Sequence, residues 1–194
     1  MSKTYIGLVH YPIYNRNNEV VTTAIANFDI HDLARTSRTY NIKNYFIIHP
    51  LESQIRLAQD VMDYWKTGVG SKYNLDRKEA FTTVETVPDI EAAVDQITAK
   101  EQARPIVVTT DARIYPNTIS YGHLREKIAQ NDHPCLLLFG TGFGLEKTMM
   151  NQFDYILEPI YGGGEYNHLP VRAAVAIILD RLLGEAWWQA GNTD

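Results

Sequence analysis

Three clusters in the second half of the chain have the residue types and spacing to hold a small polar ligand. Gly140-Thr141-Gly142-Phe143-Gly144 follows directly on the apolar run CLLLF. Glycine has no Cβ, so a backbone of this composition can come close to a ligand and present amide groups to a nucleoside or carboxylate at a helix start. Gly162-Gly163-Gly164 lies inside EPIYGGGEYNHLPVRAA and leads into a strongly helical stretch. Thr109-Thr110-Asp111-Ala112-Arg113 ends the run PIVVTT. If these runs are neighbouring parallel strands, all three loops leave the sheet at its carboxyl edge, where α/β folds build ligand pockets. Glu158, at the end of YILEPI, adds a carboxylate to the same edge. Other readings of these glycines stand beside this one: a ligand-free turn at GTGFG, a hinge at GGG, and a dinucleotide loop with Glu158 as its acidic partner. Position argues against the dinucleotide loop, because such a fingerprint opens its fold and this one lies in the last third of the chain.

A second set of reactive types lies near the N-terminus, in NFDIHDLARTSR. Asn27 is placed to cap a helix, and His31, Arg35 and Arg38 fall about one turn apart along it. Where a proton must be removed, Asp29, His31, Asp111 and Glu165 have the chemistry to accept it. Tyr11, Tyr14 and Tyr40 have rings suited to stacking on bases, or simply to packing. Six histidines without paired ligand spacing and a single cysteine give no metal-site pattern, and no Walker-type phosphate loop occurs.

These residues must be positioned by a scaffold. Short apolar runs, TYIGLVH, YFIIH, TTVETV, PIVVTT, CLLLFG and YILEPI, alternate with stretches of helical period at about 28–40, 51–66, 89–101, 120–130, 144–152 and 170–184. That alternation predicts an α/β fold, a mostly parallel sheet flanked by helices. The last helix is the clearest, with Val171, Val175, Ile178, Leu179 and Leu182 on one stripe, Pro170 at its start and Gly184 at its end. KTGVGSKYNLDRK, 66–78, reads as a mobile loop. No linker divides the chain, so one domain is expected over 1–194.

With 194 residues, 45% of them hydrophobic and 21% charged, the chain has the composition of a folded domain rather than a disordered segment. No run approaches the roughly 20 apolar residues of a membrane span, and cytoplasm is the expected location. Cys135, within CLLLF, reads as a buried small hydrophobe. The net charge of −5 counts against a nucleic-acid partner. Its distribution softens the objection, since the first 78 residues carry an excess of Lys and Arg and the remainder an excess of acid.

Taken in order, VVTTDAR, LLLFGTGFGL and ILEPIYGGGEYNHLPVRAAVAIILDRL resemble the three C-terminal motifs of SPOUT-class methyltransferases. The likeness is nearest to a small bacterial family of SAM-dependent RNA methyltransferases. It implies a fold whose C-terminal segment forms a deep trefoil knot, with Gly162 to Gly164 easing the tight backbone path. It further implies S-adenosylmethionine as methyl donor, meeting Thr109, Leu138, Gly140, Gly142, Gly144, Glu158, Ile160, Tyr161, Asn167, Leu169 and Ala174. Asn27 and Arg35 loosely resemble the Asn and Arg of the ribose-methylating branch, at a different spacing, and join Glu165 as catalytic candidates. The expected substrate is tRNA or rRNA, and the expected assembly is a homodimer, to which Trp187 and Trp188 would add apolar surface. Two rivals remain: a nucleotide-dependent oxidoreductase using GTGFG, and a noncatalytic SAM- or RNA-binding module.

Overall fold

The computed structural model describes residues 3–130, 132–164 and 166–185. In chain order its strands are β1 (Thr4–Val9), β2 (Ile13–Tyr14), β3 (Val20–Val21), β4 (Tyr45–Ile48), β5 (Val84–Val87), β6 (Ile106–Thr110), β7 (Thr118–Ile119), β8 (Cys135–Gly140) and β9 (Tyr155–Leu157). The helices are α1 (Asn27–Thr39), α2 (Glu52–Lys66), α3 (Gly70–Tyr73), α4 (Leu75–Phe81), α5 (Ile90–Glu101), α6 (Tyr121–Gln130), α7 (Lys147–Met150) and α8 (Val171–Leu183). Seven strands form one parallel sheet in the order β5-β4-β1-β8-β6-β9-β7, while β2 and β3 pair antiparallel as a separate ribbon.

A parallel strand covered on both faces has no solvent side to mark, so it reads as an unbroken apolar run. β8 shows the division. Cys135, Leu137 and Phe139 pack with Ile30 and Leu33 of α1, Leu124 of α6 and Val175 and Leu179 of α8. Leu136 and Leu138 face the other way, against Ala93 and Ile97 of α5 and Met150 of α7. The sheet is therefore the middle layer of three. Cys135 is buried, as its neighbours require, and burial raises its thiol pKa to about 12.

All six expected strands are present. β7 is a two-residue addition that periodicity cannot register. Three local expectations need correction. Asn27 does not cap α1: Ala26 occupies the cap position without a side-chain bond, and Asn27 is the first helical residue. Segment 66–78 is not an open loop, because it contains α3 and the start of α4. The Asn74 side chain accepts from the amide of Arg77 at 2.9 Å, and Gly70 is packed tightly against the rings of Tyr64 and Trp65. The helix expected over 144–152 is a single turn. Gly184 does end α8, as expected.

At Gly7, side chains of both neighbouring strands close over β1. A Cβ there would come within 2.8 Å of Ile48 Cδ1 and of Leu138 Cδ2. Gly7→Ala should cost about 1–3 kcal/mol through overpacking, lowering Tm by several degrees. Adding Leu138→Val should recover part of the loss, because the two sites share one space. Strictly additive losses in denaturant unfolding would show that the contact is not limiting.

Candidate functional site

The carboxyl ends of β8, β6 and β9 open into a cavity of about 820 Å³. Its wall includes Gly140 to Gly144 after β8, Thr110 to Arg113 after β6, Glu158 to Ile160 after β9, Tyr166 to Pro170 ahead of α8, and Val171, Ala174 and Ile178 on α8. The volume lies in the range of sites for small organic ligands. Thr23 and Ala24, which follow β3, and Asp29 of α1 close one side.

The GTGFG loop is held by the β2–β3 ribbon. Tyr14 donates its amide to the Gly144 carbonyl at 3.0 Å and accepts from the Phe143 amide at 3.1 Å. Gly142 has φ of 56°, and a Cβ there would meet Ile13 Cγ2 at 2.9 Å. Glycine is therefore demanded at 142 by the ribbon behind the loop, as well as by backbone conformation. At Gly144, with φ of 96°, a Cβ would meet nothing within 4 Å, so that space is free for a ligand. The Thr141 hydroxyl donates to the Val9 carbonyl at 3.0 Å and lies 2.5 Å from the hydroxyl of Thr23. Thr23 also bonds His10 Nδ1 at 3.0 Å, and its carbonyl bonds His49 Nε2 at 3.0 Å. His10 and His49 thus brace the loop from the ends of β1 and β4, their ring centres 5.3 Å apart.

The carboxylates of this wall differ in what occupies them. Asp111 accepts from the Arg113 amide and guanidinium and from the Tyr115 hydroxyl, so it fixes its own turn. That pairing raises the Arg113 pKa. Glu158 accepts the Tyr121 amide at 2.6 Å at the N-terminus of α6, a favourable place for negative charge. Asp29 lies 3.4 Å from Arg172 Nε of α8, whose guanidinium also reaches Asp32 at 2.7 Å. Burial raises the Asp29 pKa against the opposing pull of Arg172. Opposite the Asp29 side, Asn167 Nδ2 donates to the Ala112 carbonyl at 3.2 Å and ties the approach to α8 to the loop after β6.

Of the residues expected to meet the donor, Gly140, Gly142, Gly144, Glu158, Ile160, Asn167, Leu169 and Ala174 line the cavity. Thr109 and Leu138 do not. Both are fully buried, and the cavity is met by the next residues along, Thr110 and Phe139. Tyr161 points to solvent, 62% exposed. Gly162, Gly163 and Gly164 have no left-handed φ, and a Cβ on any of them would meet nothing within 4 Å, so crowding does not require glycine there. On the acceptor side, Asn27 and Arg35 are exposed and lie off the cavity wall. Glu165 falls outside the described residues, as do Trp187 and Trp188. His31 is packed edge-on to Trp65 and Phe81, and burial lowers its pKa, which makes it a neutral packing residue away from the wall. Thr23, Ala24, Thr141 and Arg172 were not anticipated. Thr141 lies within the GTGFG motif, whereas no local pattern marks Thr23, Ala24 or Arg172.

Residues 3–184 match a family model described as SAM-dependent RNA methyltransferase. The chain is 43% identical over 178 residues to an uncharacterized protein of Aquifex aeolicus, covering 92% of this chain and 87% of that one. It is 40% identical over 182 residues to a protein of Oleidesulfovibrio alaskensis named tRNA (guanine-N(1)-)-methyltransferase, covering 94% of this chain but 42% of that one. More than half of that relative thus lies outside the match. Among solved structures, a probable methylase family protein from Haemophilus influenzae superposes with a TM-score of 0.62 at 16% identity, covering 100% of this chain and 70% of that one. The SpoU methyltransferase AviRb from Streptomyces viridochromogenes, in complex with AdoMet, gives 0.57 at 12% identity, covering 98% and 63%. At such identities the structures share the fold.

The histidine brace has a consequence for stability. Burial and the proximity of His49 lower the pKa of His10 to about 4, and burial lowers that of His49. A histidine depressed on folding is protonated more readily in the unfolded chain. Its stabilisation is complete above the unfolded value near 6.5 and is lost as pH falls toward the folded value. For His10 the loss between about pH 6.5 and pH 4 should be on the order of 3 kcal/mol. Urea unfolding at a series of pH values should show this decline, and His10→Asn should flatten it. An equal decline in the variant would place its origin elsewhere.

Proposed function

The chain belongs to the family of SAM-dependent RNA methyltransferases, and from that premise we propose that it binds S-adenosylmethionine in the cavity at the carboxyl ends of β8, β6 and β9 and methylates tRNA or rRNA. The observation that carries this reading is the GTGFG loop. It is clamped from behind by the β2–β3 ribbon and open in front of Gly144, a cradle that a side chain would fill. The acidic wall of Asp29, Asp111 and Glu158 suits a cationic sulfonium ligand. In this reading Gly140, Gly142, Gly144, Ile160, Leu169 and Ala174 hold the donor largely through backbone and apolar contact, with Glu158 and Asn167 as polar anchors. S-adenosylmethionine supplies an already activated methyl group, so the protein's task is to hold donor and acceptor in line and to exclude water. The contact of Asn167 with Ala112 supports the trefoil threading, since it seats the segment ahead of α8 against the loop after β6.

The exposed placement of Asn27 and Arg35 leaves them available to RNA or to a second subunit. A homodimer, with α1 of one protomer near the cavity of the other, is part of the proposal, as is action in the cytoplasm. None of the helices is long and apolar enough to cross a membrane, among the described residues.

Ala174→Phe should fill the cavity from α8. It should raise the Kd for S-adenosylmethionine by at least about tenfold, equivalent to about 1.4 kcal/mol, with Tm little changed. Calorimetry and thermal unfolding on the same samples provide the check. Unchanged affinity in a folded variant would move the donor elsewhere. Sedimentation of active protein as a monomer would remove the dimer from the reading.

A further inference from the structure

We propose that Asp29 is the proton acceptor of the methyl transfer, so that the RNA acceptor atom is one that carries a proton, an N–H of a base or a ribose hydroxyl. This rests on the reading of the cavity given above. Asp29 is on the cavity wall at the start of α1, and its side chain is 14% exposed. Among the described residues the wall has two other carboxylates: Asp111 is bonded within its own turn, and Glu158 has one oxygen on the amide at the N-terminus of α6. Among the described residues Asp29 has one ion-pair partner, Arg172 Nε at 3.4 Å, and that guanidinium is shared with Asp32 at a shorter distance of 2.7 Å. Charge compensation of Asp29 is therefore incomplete. Burial raises its pKa most, Arg172 opposes that rise, and Asp32 adds a smaller push in the same direction as burial. Those influences come from α1 and α8. From the sheet, the buried Tyr45 hydroxyl of β4 feels the charge of the same carboxylate and is itself held neutral by burial. Arg113 and His168 share the cavity from its other walls. Beside Asp29, Phe28 is 68% exposed with the Arg172 guanidinium 5.4 Å above its ring.

The chemistry balances. The acceptor's lone pair forms the new bond to the methyl carbon as the carbon–sulfur bond breaks, and that bonding pair stays on sulfur. The proton leaves the acceptor for the Asp29 carboxylate and then passes to solvent. An amine-like or aromatic nitrogen without a proton would need no such base.

Three variants separate this role from that of a structural ion pair. The assay follows labelled methyl transfer from S-adenosylmethionine to bulk RNA from cells lacking the gene, with nucleoside mass spectrometry of the product. In wild type, log kcat should climb with pH through the Asp29 pKa and then level. Asp29→Asn should lower kcat about 100-fold or more and abolish that climb, while the Kd for S-adenosylhomocysteine, which lacks the sulfonium charge, changes by less than about threefold. Arg172→Gln removes the opposing charge, so the climb should move to higher pH. Asp32→Asn removes the like charge, so it should move to lower pH. Opposite displacements are not expected if the three residues merely tie α1 to α8. Independently of turnover, the carboxyl ¹³C signal of Asp29 should titrate above the ordinary aspartate range and move when S-adenosylhomocysteine is added. Full activity of Asp29→Asn, an unshifted carboxyl signal, or a product methylated at a nitrogen that bore no proton, such as guanine N7, would overturn the role. Absence of transfer by wild type would instead reject the methyltransferase reading. Base-methylated and ribose-methylated nucleosides in the digest distinguish the two admitted acceptors.

Discussion

The seating of β8 between β1 and β6 is the constraint on which the rest depends. Its register places Gly140 beside Val9 and Leu138 beside both Gly7 and Thr109. Because all three strands run the same way, their carboxyl ends coincide, and the loops that follow share one edge. A one-residue slip would turn Leu137 and Phe139 to the α5 face and carry Thr141 away from the Val9 carbonyl. The glycine loop has no regular secondary structure of its own. It is placed by strand register at one end and by the β2–β3 ribbon against its back.

The sheet was legible because strands buried on both faces leave long apolar words in the sequence. The C-terminal half of the cavity was legible for a different reason: GTGFG, TTDAR and the approach to α8 are contiguous, and their residue types are unusual. The near wall was not legible. Thr23 meets Thr141 across 118 positions, and nothing in VVTTAIA marks a ligand wall. Helical phase divides the α1 candidates, leaving Asn27 and Arg35 exposed off the cavity wall. Asn27 and Arg35 have the more suggestive side chains, but it is Asp29 that the helix turns toward the cavity. In the strands the offset is one residue: Thr110 and Phe139 meet the cavity instead of Thr109 and Leu138. A motif locates a loop, whereas the pleat and the helix turn decide which of its members face inward.

The histidines illustrate how burial changes a residue's meaning. His10 and His49 have no ligand-like spacing, and among the described residues no group of His, Cys, Asp or Glu is placed to hold a metal. Brought together by β1 and β4, they form a neutral bracket for Thr23. Neutrality follows from their surroundings: one buried imidazolium would be costly, and two at 5.3 Å more so. The loop is therefore held by hydrogen bonds without fixed charge behind it, and the carboxylates in front set the cavity's potential.

Cys135 gives the sheet an internal clock. It begins β8, is hydrogen-bonded through its backbone to Lys3, and has β1 on one side and β6 on the other. Its thiol is buried and held protonated, so an alkylating reagent meets it only when the central strands part. With a single cysteine in the chain, the rate of alkylation measures how often the middle of the sheet opens. A ligand that binds across the ends of β8 and β6 would slow that rate by the factor with which it stabilises the closed form. Occupancy at the carboxyl edge is thus recorded as chemical protection at the opposite end of the same strand.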